Sequence, residues 1–539
     1  MTKIVVCPER YAAEGGMEIL RKGGNAVDAV VAGALAQAVT NPMHCSAGGC
    51  GQMNIYMDKN KKPVFVASNA GVGSKGNPEV YDYEERALPQ GSPLGLASRV
   101  KNQEDAIGYK AIITPDLFQV LYDAHKKWGK LPWKECFEPA IRLAKKGFIV
   151  DAYLVKVFNQ AQLPRLCATT EMSKIYLKDG RLYREGEVLI QEDYGNTLEK
   201  VAEHGPDIFF RGEIAQKIAE DFEEHGALVT SEDLKGVKTV WYEPLASTYR
   251  DYTFYVNVPP SGGPFKLEVL NILEGFDLKK LGWNTPEYLD LLARTMNVAL
   301  ADRFLYGVDP LYDPESMDNA RMLISKDYAS KMINMIKNRR DNEYPAPDVA
   351  AYDGGTTHIA TLDDDGNCVS MKHSSNITSG VVTPGIGIPY NNMMCLITLY
   401  VGHKRTHDVG FGPKMKICGG LSPTLGFKDG RLFSASGSPA GVDGYMCEVQ
   451  ALINVIEFGF RVQAAISSPR IISGLRKGEI VLEPSFPYPY PWKNLEAMGH
   501  PIRVTPYSGR VSALVIDSKS GYVDVGTDPR GGGGLARGD

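Results

Sequence analysis

Two hydroxyls that a single turn would bring together are the residues of this sequence best placed to do chemistry. Thr356 opens an alternating run, Thr356 to Leu362, and Cys368 to Asn376 reads as its return strand. Between them, Asp363-Asp364-Asp365-Gly366-Asn367 has the composition of a turn, with Asp-Gly supplying the positive φ of a tight hairpin. Antiparallel pairing about Asp365 sets Ser374 opposite Thr356, because the two lie equally far from it, with Asn376 just beyond. A threonine hydroxyl is a poor nucleophile unless a base lies beside it. Cutting the peptide bond before Thr356 would free its own α-amine for that role. Such an amine has a reference pKa of about 7.7–8.0, so a useful fraction is unprotonated near neutral pH. Gly354-Gly355 suits the cut, since it adds no bulk beside the carbonyl under attack and tolerates unusual φ/ψ. The six residues Asp353 to His358 alone would equally serve as a loop leading into a strand; the hairpin around them carries the chemical reading.

The order Gly-Thr-Thr-His at 355–358, Asp-Gly-Asn at 365–367, Ser-x-Asn-x-x-x-Gly from Ser374 and Pro384-Gly385-Ile386-Gly387-Ile388 resembles the γ-glutamyltransferase (γ-glutamyltranspeptidase) family. Further family-like stretches are Gly23-Gly24-Asn25-Ala26-Val27-Asp28-Ala29 with Asn41-Pro42 and Gly48-Gly49, and Gly437-Ser438-Pro439-Ala440-Gly441. The resemblance implies an α/β (α+β) chain folded as a four-layer αββα sandwich of the N-terminal-nucleophile hydrolases. It implies a self-cut between Gly355 and Thr356, giving a large subunit, 1–355, and a small one, 356–539. It implies Thr356 as nucleophile, Ser374 (where the family usually has Thr) and Asn376 as its orienting partners, and the amides of Ala440 and Gly441 as oxyanion hole. Amides at a helix start favour developing negative charge, which agrees.

The family's substrate anchors are another matter. Its carboxylate-gripping Arg would fall at Asn69, and no Arg occurs between Lys62 and Arg86. Its Ser-Ser pair is Gly419-Gly420 here, and its ammonium-binding acid falls near Cys395-Leu396. Losing a charge-assisted bond of that kind costs on the order of a few kcal/mol. The expectation is an amide substrate whose acyl part lacks the free amino-acid head, lying against Asn69, Leu396, Gly419 and Gly420. Relatives such as glutaryl-cephalosporin acylases and oxamate amidohydrolase show that the fold permits other acyl groups. A true γ-glutamyl transferase or glutathione hydrolase, and a non-catalytic relative acting as a binding protein, are the alternatives.

The elements that must position these groups are legible in outline. Ala12 to Leu20 has helical spacing, and Asn25 can cap a second helix, Ala26 to Val39, rich in Ala and Val. Strands are expected at Met53 to Met57, Val64 to Ser68 and Tyr252 to Val258, and helices at Pro115 to Trp128, Leu267 to Leu273, Tyr288 to Tyr306 and Tyr445 to Phe458. Ser231-Glu232-Asp233 reads as an N-cap before Leu234. Ile336 to Tyr352 reads as an exposed linker ending at the cut, and Leu396 to Cys418 as a lid.

Composition excludes several classes. A net charge of -5, with 43% hydrophobic and 23% charged residues, is ordinary for a globular protein and gives no basic excess for nucleic acid. No apolar run reaches the roughly 18 residues of a membrane span. The glycines at 48–51 follow a helix and precede a strand, the reverse of a phosphate-binding loop, which disfavours a nucleotide-dependent enzyme. His403 and His407 lie four apart with no helix signal or carboxylate pair, so no metal or other cofactor is expected. The start, Met1 to Cys7, is too brief for a signal peptide, and nine scattered cysteines without a CxxC pair fit a reducing, cytoplasmic setting. The expected partners are a small-molecule amide and the chain's own two fragments; a homo-oligomer of such heterodimers is compatible with this.

Overall fold

The computed structural model describes residues 2–538 apart from 86–94, 97–98, 342–347, 350–354, 399–410, 418, 474–477, 506–508 and 532–534. Two antiparallel sheets lie at its centre. The first takes strands β1 (Ile4–Cys7), β2 (Cys50–Tyr56), β3 (Pro63–Ser68) and β4 (Thr239–Tyr242) from before position 356. The second takes β5 (Leu245–Tyr249) and β6 (Tyr252–Val256). After it come β7 (Thr357–Leu362), β8 (Cys368–Ser374), β9 (Thr424–Lys428), β10 (Arg431–Gly437), β11 (Ser512–Ile516), β12 (Val523–Thr527) and β13 (Leu535–Gly538). The order is β4-β3-β2-β8-β7-β1-β13 in the first sheet and β5-β6-β9-β10-β11-β12 in the second. Each sheet therefore mixes strands from both sides of the Gly355–Thr356 bond.

Strand alternation decides which residue faces which layer. Val5, Ile359, Val369 and Met371 pack with the helices α1 (Arg10–Arg21) and α2 (Ala26–Thr40). The intervening Ile4, Val6, Ala360, Leu362 and Cys368 meet Leu425, Phe427, Ala435 and Leu514 of the second sheet. On that sheet's far side lie α4 (Gly263–Leu273), α5 (Pro286–Tyr306) and α7 (Gly441–Ile456), packed with Phe254 and Val256. The layers run helix, sheet, sheet, helix, as the resemblance implied. The third and sixth helices used below are α3 (Leu117–Trp128) and α6 (Met394–Thr398).

Helix α2 shows why the sequence folds this way. Asn25 Oδ1 accepts from the amides of Val27 and Asp28, and Asp28 Oδ2 accepts from that of Asn25, a reciprocal cap. All its residues are buried. At Gly33 a Cβ would fall 2.2 Å from Ile359 Cδ1, so glycine lets α2 press onto β7. Three expectations shift in detail. The cap expected at Ser231 is Thr230, reciprocated by Asp233. Helix α7 starts at Gly441 rather than Tyr445. Of the linker, Ile336 instead lies buried in the helix Lys326–Lys337, Asp348–Val349 pairs with Gly95–Leu96, and most of the remainder lies outside the described residues.

Candidate active site

The β7–β8 hairpin has the register the turn dictates: Thr357 pairs with His373 and Leu362 with Cys368, which sets Thr356 against Ser374. Asp363 fixes the turn, accepting from the amides of Asp365 and Asn367 through Oδ1 and from the Asn367 side chain through Oδ2. At the open end both hydroxyls converge on the Gly355–Thr356 bond. Thr356 Oγ1 lies 2.6 Å from the Gly355 carbonyl oxygen and donates to Ser374 Oγ at 3.1 Å. Ser374 Oγ in turn donates to that carbonyl at 2.7 Å and accepts from the Asn376 amide at 2.8 Å. Asn376 takes a positive φ of 60°, and its side chain donates to Asn392 Oδ1 and Cys395 Sγ. Gly355 has no room for a side chain: a Cβ would lie 2.1 Å from the His44 ring and 2.2 Å from the Asn376 carbonyl oxygen.

Residues that the sequence did not single out hold Thr356 from behind. Arg510 donates to the Thr356 carbonyl at 2.9 Å and pairs with Glu9. Glu9 also accepts from Thr357 Oγ1 at 2.6 Å, from Gln37 and from Asn41. The Arg510 guanidinium stacks 4.6 Å over the Tyr153 ring, whose hydroxyl lies 3.0 Å from His44 Nδ1. Burial, then the nearby Arg510 charge, pulls the His44 pKa down to about 3, so its imidazole is neutral beside the bond. Arg510 was not found because its partners lie 154 and 501 residues away in the chain.

The proposed oxyanion loop is tied into the same frame. The Arg510 amide donates to Ser438 Oγ at 3.1 Å while its guanidinium holds Thr356. Ala440 sits at φ 83°, ψ 44° and Gly441 at φ 53°, two successive left-handed residues opening α7. For alanine that conformation costs on the order of 1–2 kcal/mol.

Around the expected pocket, Gly419 accepts from Tyr445 through its carbonyl at 3.1 Å. Gly420 abuts the 438–441 loop, where a Cβ would lie 2.6 Å from Gly441 Cα. Leu396, on α6, packs against an apolar cluster with Met394, Phe411 and Ile417. Cys395 lies against Asn376. The Asn69 side chain is tied to backbone: its amide donates to the Gly236 carbonyl at 3.0 Å and its Oδ1 accepts from the Lys238 amide at 2.7 Å. Of the expected lid, 396–398 belongs to α6 and 411–417 packs into the same cluster through Phe411, Met415 and Ile417, while 399–410 and 418 lie outside the described residues.

One trio among the described residues has ligand atoms close enough for a metal: Asp28, His125 and Cys136. Asp28 is already occupied by the amides of Asn25, Lys130 and Leu131, and His125 Nε2 lies 3.0 Å from the Leu131 carbonyl. These groups cap α2 and the end of α3. His403 and His407 lie outside the described residues, as do Asp353 and Gly354.

Comparison with known proteins gives the chain a family. Residues 12–538 match the family model described as gamma-glutamyltranspeptidase. The chain is 31% identical to the glutathione hydrolase proenzyme of Escherichia coli (strain K12), covering 98% of this chain and 90% of that one. It is 29% identical to the acylase ACY 1 proenzyme of Pseudomonas sp. (strain V22), covering 99% and 94%. Among solved structures it resembles the cephalosporin acylase from Bacillus halodurans, with a TM-score of 0.84 and 26% identity over 99% of this chain and 95% of that one. With a family match along almost the whole chain and the hairpin, loop and layers in place, the chain belongs to the gamma-glutamyltranspeptidase family of hydrolase and transferase enzymes.

Proposed function

We propose that this enzyme cuts its own chain before Thr356 and then hydrolyses or transfers an acyl group whose head is not that of a γ-glutamyl compound. The observation that carries it is the convergence of the Thr356 and Ser374 hydroxyls on the Gly355 carbonyl. Thr356 Oγ1 bonds to the Gly355 carbonyl carbon as its proton passes through Ser374 Oγ to the carbonyl oxygen. Collapse re-forms the C=O, the hydroxyl proton passes to the nitrogen as the C–N bond breaks, and an ester remains on Oγ1 beside a free amine. Water hydrolyses that ester, leaving Gly355 as a carboxylate and Thr356 with a free amine. That amine then serves as the base for the same oxygen in turnover. The amides of Ala440 and Gly441 would hold the oxyanion. Thr356→Ala should leave one unbroken chain without turnover, read by denaturing mass spectrometry; a cut and active variant would refute the assignment.

The acyl preference rests on Gly419-Gly420, Cys395-Leu396 and Asn69, uncharged residues where the family has charged or hydroxyl anchors for an amino-acid head. Glutaryl p-nitroanilide, which lacks the amino group, should be cleaved faster than γ-glutamyl p-nitroanilide. The reverse order would favour the second reading, a true γ-glutamyl hydrolase like the Escherichia coli relative. As to compartment, a reducing, cytoplasmic setting is our reading, and it is supported by described cysteines that are not joined by disulfides. Among the described residues no helix is long and apolar enough to cross a membrane.

A further inference from the structure

A buried lysine joins the two loops that flank the proposed oxyanion position. Lys372 lies on β8 two residues before Ser374, on the same face of the strand, and is wholly buried. Its ammonium donates to the Gly420 carbonyl at 2.6 Å and to the Ser438 carbonyl. The first carbonyl closes the glycine pair of the pocket. The second lies two residues before Ala440. The backbones of these loops already touch at Gly420 and Gly441.

Behind this contact Lys266 of α4 donates to both oxygens of Glu448 of α7 at 3.2 and 3.1 Å and to the Ser422 carbonyl at 2.7 Å. Glu448 further accepts from Thr424 at 2.6 Å and Ser436 at 2.8 Å. The carboxylate is thus taken up by Lys266 and two hydroxyls, while the bonds of Lys372 go to loop carbonyls. A buried charge is costly, and an apolar side chain of the same length would avoid that cost. What it could not do is hold two carbonyl dipoles together from inside.

We propose that Lys372 is a positioning residue for acyl transfer, clamping the Gly419-Gly420 turn to the 438–441 loop so that the Ala440 and Gly441 amides face the acyl oxygen. This deepens the acyl-transfer reading above and rests on it. Cleavage of the chain uses the Gly355 carbonyl and Ser374 instead, so it does not need the clamp.

The groups facing Lys372 are Glu448 and Tyr445 of α7, Lys266 of α4 and His358 of β7, with Arg303 of α5 beyond the Tyr445 ring. Burial lowers the Lys372 pKa most, Glu448 draws it back and Lys266 lowers it again, leaving it at about 7. Loss of the proton weakens both carbonyl bonds. An arginine there keeps its charge throughout.

The test uses p-nitrophenyl acetate, an activated ester that needs little from the pocket, on wild type, Lys372→Met and Lys372→Arg. Intact mass reports chain cleavage and the acetyl group on the small fragment, and stopped-flow release of p-nitrophenol gives the acylation rate. Lys372→Met should cut its chain as wild type does but acylate at least about ten-fold more slowly, less than the 10²–10³ of removing an oxyanion donor outright. Lys372→Arg should recover most of that rate. Wild type should lose rate on the alkaline side, and Lys372→Arg should shift that limb upward. Wild-type acylation by Lys372→Met would overturn the proposal. So would an alkaline limb absent from wild type or unmoved in Lys372→Arg, which decides the matter even where Lys372→Met fails to fold. A wild-type chain that is neither cut nor acetylated would instead strike the acyl-transfer reading itself.

Discussion

Around Thr356, polar groups from β8, α2, Glu9 and the Arg510 segment close on one peptide bond, and a neutral His44 and Gly355 leave no spare volume. Further along the chain, the expected pocket is walled by Leu396, Ile417 and two glycines, and its polar contacts are backbone carbonyls. The contrast separates two kinds of requirement. Self-cleavage has a substrate fixed by the chain itself, so its geometry is set by the hairpin and its backing. Acyl specificity depends on side chains that can be exchanged without disturbing the hairpin. Gly420 is also part of the backbone packing, because a side chain there would meet the Gly441 backbone.

Four experiments break or sharpen this contrast, in falling order of expected effect. Ser374→Ala removes the proton path and one of the two hydroxyls on the Gly355 carbonyl. Cleavage should slow by about 10²–10³-fold, followed by gel densitometry of freshly folded protein. Cleavage at the wild-type rate would show that the hairpin end is not the cutting machinery. On the pocket side, Gly420→Ser should spare cleavage but lower turnover at least about ten-fold, because its Cβ would push Gly441 out of place. If it instead raised activity on γ-glutamyl p-nitroanilide, the pocket would be a simple reversible loss of an anchor.

Acid should strike the hairpin. Burial holds His373 down to about 3 and His358 well below its usual range. Their folded pKa values lie below the unfolded value of about 6.5, so the stability they contribute is present above it and drains as pH falls from there toward 3. The thermal midpoint should drop by several degrees between pH 7 and 4.5, and His373→Asn should flatten that slope. An unchanged slope would contradict the buried neutral state. The smallest effect belongs to Ala440→Gly. It should relieve the left-handed strain and raise stability by about 1 kcal/mol at most, with turnover within about two-fold.

The sequence makes some of this legible and hides the rest for physical reasons. The Thr356–Ser374 pairing is arithmetic about Asp365, since strands alternate with period two, and the structure has that register. Asn25 announces its cap by residue type and place, and the structure adds the reciprocal bond from Asp28. The layers and the oxyanion segment came from the resemblance, not from periodicity. Glu9, His44, Lys372 and Arg510 were missed because each meets its partners across the fold. Lys372 left one trace: a charged residue at an alternating position of a strand buried on both faces.

The cut itself is tested most directly by denaturing mass spectrometry with N-terminal sequencing of the purified wild-type protein. The account predicts two fragments that co-purify, because each sheet draws strands from both, with the smaller beginning at Thr356. A single continuous 59.0 kDa chain with full amidase activity would contradict it.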